Sequence, residues 1–350
     1  MRQINIADHV VGAGHPCFII AEAGVNHNGD IQMAKGLIDA AVEAGATAVK
    51  FQTFDAGRLT SEVAPKAEYQ IETTGAAESQ LEMLQQLELS EDDHRLLQNY
   101  CYERNIIFMS SPFEEESADL LASLDVPVFK IPSGEITNLP FLEHVARKGK
   151  PLIVSTGMST LGEVEEAVRT IENTGNHDYV LLHCVSNYPA DPADVNLHAM
   201  NTMSLAFGVP VGYSDHTLGI ETPLAAVALG ASTIEKHLTL DCSLTGPDHR
   251  ASLEPDQFAA MVQGIRTVEA AISGSGQKTP APSEANTASI ARKSLVAARD
   301  IAEGEVLTEE SVAVKRPGSG LPPAMRQYVL GRLVRQPIMA GDLISLEMLA

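Results

Sequence analysis

Two histidines stand at the ends of apolar, strand-like runs: His216 in Gly212-Tyr-Ser-Asp-His216, and His237 in Ile234-Glu-Lys-His237. Neutral imidazole nitrogen is a common metal ligand, so two rings reaching one site from neighbouring strands can hold a divalent cation. Taken singly, either would pass as an ordinary hydrogen-bonded histidine. The wider pattern argues for more. The same kind of strand end recurs about eight times along the chain, nearly always with a polar or charged residue. In order these are Glu22; Lys50 and Gln52; Ser110 and Ser111; Lys130 and Ser133; Ser155 and Thr156; Ser186 and Tyr188; Ser214 and His216; and His237.

Two lysines among several hydroxyls suit a ligand bearing phosphate or carboxylate, with lysine supplying charge and hydroxyls and backbone N–H groups supplying directed donors. A divalent metal on histidines suits the polarisation of a carbonyl oxygen on a second substrate. Glu22, Glu135, Tyr188 and Asp248 would hold sugar hydroxyls or move protons. The chemistry expected is an anionic, phosphorylated donor meeting an aldehyde acceptor. A serine at a strand end can also merely cap the next helix. Lys50 and Lys130, on otherwise apolar strands, need a negative partner if buried.

Positioning these groups takes alternating elements. Strands are expected at Phe18–Ala23, Ala48–Gln52, Ile106–Ser110, Val128–Ile131, Leu152–Ser155, Val180–Cys184, Val209–Tyr213 and Thr233–His237. Helical patterns at Gln32–Ala44, Glu114–Leu124, Leu161–Glu172, Glu221–Leu229 and Pro255–Ile272 fall between them. About eight β–α units in ~255 residues match a (β/α)8 barrel, whose strand C-termini converge on one mouth. A doubly wound sheet is the alternative, but no nucleotide-binding glycine motif supports it. Lys50 and Gln52 share parity and point inward together; Glu235 and His237 do likewise, which turns Lys236 away.

The linker expected at 274–288 is rich in Gly, Pro and small polar residues. It separates a barrel domain at 1–273 from a small β-rich domain at 289–350. That tail carries a weak repeat, Asp300–Leu307 and Pro337–Ile344, each with a glycine (Gly304, Gly341) at an expected turn, and a basic loop, Lys315–Pro323, between the copies. The chain has 350 residues and a net charge of −22, a field that repels nucleic acid and anionic lipid. Cys17, Cys101, Cys184 and Cys242 are scattered without a Cys-x-x-Cys spacing. Neither a disulfide framework nor a zinc knuckle is expected, and the usage suits a reducing cytoplasm. No signal-peptide pattern or membrane-spanning run is read in the sequence.

The motifs Ala21-Glu-Ala-Gly-Val-Asn-His-Asn-Gly29, Val49-Lys-Phe-Gln-Thr53, Phe129-Lys-Ile-Pro-Ser-Gly-Glu135, Val154-Ser-Thr-Gly-Met158, His183-Cys-Val-Ser-Asn-Tyr-Pro189 and Gly246-Pro-Asp-His249, with the two histidine motifs, occur in one order along the chain. This series resembles the bacterial sialic acid synthase family, and the tail with Lys315-Arg-Pro-Gly-Ser-Gly320 resembles its C-terminal antifreeze-like (SAF) domain. The resemblance implies a TIM barrel followed by a SAF domain. It also implies condensation of phosphoenolpyruvate with an N-acetylated mannosamine-type sugar, with release of phosphate. A divalent metal (manganese, or magnesium or cobalt) and a domain-swapped homodimer come with it.

By the same resemblance His216 and His237 match the metal ligands. Lys50, Ser111, Lys130, Ser133, Ser155, Ser186 and Ser214 match the phosphoenolpyruvate-binding positions, with Ser186 standing where some members have Asn. Gln52, Tyr188 and Asp248 match sugar contacts, and Glu22 and Glu135 acidic positions near the reacting atoms. Arg316 would reach a partner subunit's mouth and hold the acceptor's N-acyl group. The first acceptor expected is N-acetylmannosamine, giving N-acetylneuraminate; the alternative is 2,4-diacetamido-2,4,6-trideoxymannose, giving N,N'-diacetyllegionaminate. Ala64–Gln70 is expected over the acceptor. Rival readings are a Schiff-base aldolase with Lys50 or Lys130 as nucleophile and a non-catalytic sugar- or ice-binding protein.

Overall fold

The structure, a computed structural model, describes residues 2–350. The chain divides into two compact units, residues 1–273 and residues 274–350.

The first unit opens with a hairpin, β1 (Ile4–Ile6) and β2 (His9–Val11). Eight parallel strands follow: β3 (Phe18–Gly24), β4 (Ala48–Thr53), β5 (Ile107–Pro112), β6 (Phe129–Ile131), β7 (Leu152–Ser155), β8 (Tyr179–Cys184), β9 (Val211–Asp215) and β10 (Thr233–His237). Hydrogen bonding runs β5-β4-β3-β10-β9-β8-β7-β6, and β5 and β6 also lie side by side, so the sheet comes round into a barrel. The expected helices form with ends shifted by at most one residue. Further helices at Glu91–Glu103, Leu139–Ala146 and His198–Phe207 complete the alternation.

Two strands are displaced from expectation: β5 runs Ile107–Pro112, not Ile106–Ser110, and β9 shifts further. β9 begins at Val211, not Val209, because Pro210 has no N–H for the ladder; only its carbonyl is used, accepting from Leu181 N at 3.1 Å. The displacement carries the strand on to Asp215. The hairpin was not expected at all. Ile4, Ile6 and Val11 pack with the inward-facing Phe18, Ile20, Ala48, Met109, Val128, Ile153, Val180 and Leu182. Burying each of the three contributes roughly 1.5–3 kcal/mol, which holds strands too short to be stable alone.

Parity then makes the site. Continuing those inward positions towards the strand C-termini replaces apolar residues with Glu22, Lys50, Ser111, Lys130, Ser155, Ser214 and Glu235. A second apolar layer, including Leu37, Phe129, Leu142, Ile171 and Phe258, packs the outer strand faces against the helices. The ring is tight at Gly212, where a Cβ would stand 2.3 Å from the Thr233 carbonyl oxygen and 2.7 Å from Leu182 Cδ2. Gly212→Ala is therefore expected to cost about 3 kcal/mol, read as a drop in the thermal midpoint; an unchanged midpoint would contradict the close approach.

The second unit has its own core of Leu295, Ile301, Leu307, Val312, Val329, Val334, Ile338, Ile344 and Leu349. Strands β11 (Ser294–Ala297) and β12 (Val312–Lys315) pair antiparallel. The two repeat segments meet through an isolated bridge between Ile301 and Ile338, with Gly304 and Gly341 at φ 81° and 90°. The contact is an isolated bridge outside the named strands. The stretch read as linker is exposed but not wholly irregular: a 3-10 turn at Pro282–Glu284 leads into a helix at Ala285–Ala291.

Candidate active site

A cavity of about 490 Å³ lies at the C-terminal ends of the barrel strands, within the size range of small-molecule sites. Glu22, Lys50, Gln52, Ser111, Lys130, Ser133, Glu135, Ser155, Ser186, Tyr188, Ser214, His216, His237 and Asp248 all line it. Strand register explains the convergence: Glu22 is level with Lys50, Gln52 with Ser111, Ser214 with Cys184 and Glu235, and His237 with Glu22. Arg316 is not among the lining residues. It is exposed in the second unit, where its Nε donates to the Ala291 carbonyl at 3.1 Å.

The floor of the cavity is a buried ionic cluster. Lys50 Nζ lies 2.7 Å from Glu22 Oε2 and 3.8 Å from Glu235 Oε1, and it donates to Ser111 Oγ at 3.1 Å. Lys130 Nζ is 3.4 Å from the same Glu235 oxygen. Gln52 Nε2 donates to Glu22 Oε1 at 3.2 Å, and Ser214 Oγ to Glu235 Oε1 at 3.1 Å. Two cations thus face two carboxylates, all four nearly buried at the cavity floor. Burial pushes Glu22 up to about 7 against the pull of Lys50. At Glu235 burial also acts upward, but Lys130 and Lys50 outweigh it and hold the carboxylate below its usual range. Burial lowers Lys130, whereas the carboxylates of Glu22 and Glu235 overcome burial at Lys50 and raise it. Burial raises Asp248 to about 6 and moves Glu135 upward.

The two imidazoles lie 5.6 Å apart between ring centroids. His216 Nδ1 meets the Val185 carbonyl at 2.6 Å, a contact in which the ring nitrogen donates, leaving the Nε2 lone pair available. His237 Nδ1 is buried without a hydrogen bond and stands 3.7 Å from Asp248 Oδ2. Burial pushes His216 down to about 4 and His237 well below the ordinary value, so both rings stay neutral. Neutral, adjacent rings with a free nitrogen fit a divalent cation as a two-histidine pair. Among the described residues no group of three or more His, Cys, Asp or Glu is arranged as a metal centre, so these two rings would leave most coordination positions to water and substrate. Tyr188 lies over His216 at 4.1 Å, tilted by 33°, and meets His237 edge-on at 5.5 Å.

The hydroxyls are packed as tightly. A Cβ on Gly157 would fall 2.2 Å from Ser186 Oγ and 2.8 Å from Ser133 Oγ, so only glycine lets these groups crowd together. Gly157 N donates to Ser133 Oγ at 3.0 Å, orienting it. Ser155 Oγ and Glu235 Oε2 are buried without hydrogen-bond partners in the protein. Such groups are costly unless a ligand meets them.

Three features were missed in the sequence. Glu235 was placed inward by parity, yet its role as the shared counter-ion of both lysines shows only in their convergence. Lys236, set aside as facing away, pairs at 2.5 Å with Asp215, which also accepts from Tyr213 OH, Thr217 N and Thr217 Oγ1. This fully buried pair ties β9 to β10 one residue from each histidine. The third is the rest of the excursion after β4, of which only Ala64–Gln70 was expected at the site; it has short helices at Ala56–Leu59, Glu68–Thr74 and Gln80–Gln85. From it Leu59, Ala67, Tyr69, Gln70, Gln80, Met83, Leu84 and Leu87 line the cavity, and Tyr69 packs on Tyr188 at 5.0 Å. Val25, Phe54, Met83 and Leu87 form a small apolar cluster there, backed by Leu59, Leu84 and Phe113. Lys66, buried in the excursion, donates to Glu78 Oε1 at 3.0 Å and to Thr74 Oγ1 at 2.9 Å.

Fold and site together define a (β/α)8 barrel with a lysine- and imidazole-bearing mouth, followed by a separate β-rich unit. The chain belongs to the NeuB family, whose model matches residues 37–278, and a SAF domain matches residues 292–350. N,N'-diacetyllegionaminic acid synthase from Legionella pneumophila is 48% identical over 96% of this chain and 95% of its own length. The enzyme of the same name from Campylobacter jejuni is 48% identical over 93% and 98%. Human N-acetylneuraminate-9-phosphate synthase is 38% identical over 97% and 94%. Among solved structures, an N-acetylneuraminic acid (sialic acid) synthetase from Leptospira borgpetersenii superposes with a TM-score of 0.73 at 35% identity, covering 82% of this chain and 95% of that one. No helix among the described residues is long and apolar enough to cross a membrane.

Proposed function

We propose that this protein condenses phosphoenolpyruvate with an N-acetylated, mannosamine-type aldose, forming a nine-carbon 2-keto acid and releasing phosphate. The observation that carries this reading is the buried pair Lys50 and Lys130, sharing Glu235 beneath a layer of crowded hydroxyls. Phosphoenolpyruvate has the carboxylate and phosphate that such a pair would bind, with Ser111, Ser133, Ser155, Ser186 and Ser214 supplying donors. Gln52, Tyr188 and Asp248 would orient the sugar.

The methylene carbon of the enol phosphate bonds to the aldehyde carbon, and the aldehyde oxygen takes a proton. Positive character develops at C2 of the donor. Water adds there and loses a proton, and the tetrahedral adduct collapses by breaking the C–O bond to phosphate. Glu22, held near 7, and Glu135 are suited to carry these protons. Lys50 and Lys130 balance the donor's charge throughout. His216 and His237 would hold a divalent cation such as manganese, which when bound supplies polarisation of the acceptor's carbonyl oxygen. A homodimer in which the partner subunit's Arg316 completes the mouth belongs to the same reading.

The 48% identity to two N,N'-diacetyllegionaminic acid synthases, against 38% for the N-acetylneuraminate-9-phosphate enzyme, supports 2,4-diacetamido-2,4,6-trideoxymannose as the first acceptor and N-acetylmannosamine as the second. Lys50 and Lys130 are the Lys or Arg residues lining the cavity, which supports an unphosphorylated sugar. The test is phosphate release from phosphoenolpyruvate with manganese and each sugar in turn. Turnover is expected with the first sugar, and silence with both would refute the condensation.

A further inference from the structure

The cavity is unequal in character. Its charged floor is formed by strand ends, whereas the excursion after β4 adds a wall of clustered apolar side chains beside the polar Thr60, Tyr69, Gln70 and Gln80. Leu59, Met83, Leu84 and Leu87 from that excursion line the cavity, with Val25 and Phe113 beside them. They belong to one apolar cluster rather than scattered positions. The buried Lys66, bonded to Glu78 and Thr74, braces the excursion within itself, and Tyr69 packs on Tyr188. Tyr188 in turn lies over His216, so the excursion meets the histidine pair through these two tyrosines.

We infer that this wall is the specificity element of the acceptor site, selecting a sugar that carries a 6-methyl and a 4-acetamido group where N-acetylmannosamine carries a hydroxymethyl and a hydroxyl. The inference rests on the condensation proposed above. A hydroxyl placed against Leu59, Met83 and Leu84 loses water and gains no partner. The 6-methyl and second acetamido methyl of 2,4-diacetamido-2,4,6-trideoxymannose gain apolar contact there instead. Discrimination by an apolar surface is modest, about 10- to 200-fold for a methyl-sized difference. Leu59 and Leu84 are half-buried, so they can be changed with less damage to the fold than Met83 or Leu87.

The experiment is steady-state phosphate release with manganese, phosphoenolpyruvate and each of the two sugars, for the unaltered protein, Leu84→Asn and Leu59→Asn. The unaltered protein is expected to favour the trideoxy sugar by about tenfold or more in kcat/KM. Each Asn variant should narrow that ratio about fivefold or more, with KM for phosphoenolpyruvate within about twofold. Leu84→Met and Leu59→Met, which keep volume and apolarity, should preserve the ratio. A purely structural lesion would lower both rates together and leave the ratio intact, which would overturn the inference. A preference for N-acetylmannosamine in the unaltered protein would overturn the inference while leaving the condensation standing. Silence with both sugars would remove the condensation and the inference together.

Discussion

Lys50→Met is expected to lower kcat/KM for phosphate release by about 10³-fold or more, some 4 kcal/mol of transition-state stabilisation. The same change should cost roughly 3–5 kcal/mol of folding stability, because it removes one partner of a buried charge cluster. Lys50 Nζ is the near neighbour of Glu22 at 2.7 Å and a second neighbour of Glu235 at 3.8 Å. Without it two buried carboxylates share only Lys130, and Glu22 rises further towards its neutral form. The two losses can be separated. In the double variant Lys50→Met with Glu22→Gln, the unpaired carboxylate is gone, so much of the stability should return while turnover stays absent. Denaturant unfolding alongside the phosphate assay reads both quantities. Turnover within tenfold of the unaltered protein in Lys50→Met would contradict the lysine's place in the site, and borohydride trapping of a substrate on Lys50 would instead favour the aldolase reading.

His216→Ala should reduce turnover by a similar factor, with a different signature. The ring's Nδ1 is engaged by the Val185 carbonyl and its face by Tyr188, so the fold loses one hydrogen bond and one ring contact rather than a charge. A loss of about 1–3 kcal/mol is expected. The decisive readout is thermal: a cation that binds the folded state raises the melting temperature, the stabilisation growing as the logarithm of one plus its concentration over its Kd. Manganese should do so for the unaltered protein and not for His216→Ala. Equal stabilisation of both proteins would remove His216 from the cation site, whatever the activity.

Much of this site was legible because a barrel converts strand parity into proximity. Once Lys50, Lys130, Ser155, Ser214 and His237 were seen at strand ends, the fold that ends all strands at one mouth brought them together. What resisted reading depends on contacts between strands or on short elements. Glu235 was visible as inward-facing, but that it balances two lysines from β4 and β6 follows only from side-chain reach across the barrel. Asp215 and Lys236 are unremarkable as letters; register places them on adjacent strands, behind the histidines. The hairpin at Ile4–Val11 has strands of three residues, too short for periodicity to register. The excursion between β4 and β5 has helices of four, seven and six residues, so its wall of leucines and Met83 reads as amphipathic loop until folded. Arg316 was reached through resemblance alone, and in the single chain it donates to the Ala291 carbonyl of its own unit.

The pairing of Lys50 and Lys130 with Glu22 and Glu235 has a thermodynamic consequence. Before any ligand arrives, both ammonium groups already have anions of the protein's own. Entry of an anionic guest is thus an exchange of partners, in which carboxylates are displaced from lysines that stay where they are. Glu22, already near 7 with its lysine beside it, becomes harder to keep ionised once that lysine is shared with the guest, and it draws a proton from solution. Anion loading and proton uptake are then one event. The cluster is balanced before the guest arrives, one proton offsets one of the guest's charges, and salt, which screens exposed charges but reaches buried ones poorly, has little hold on it.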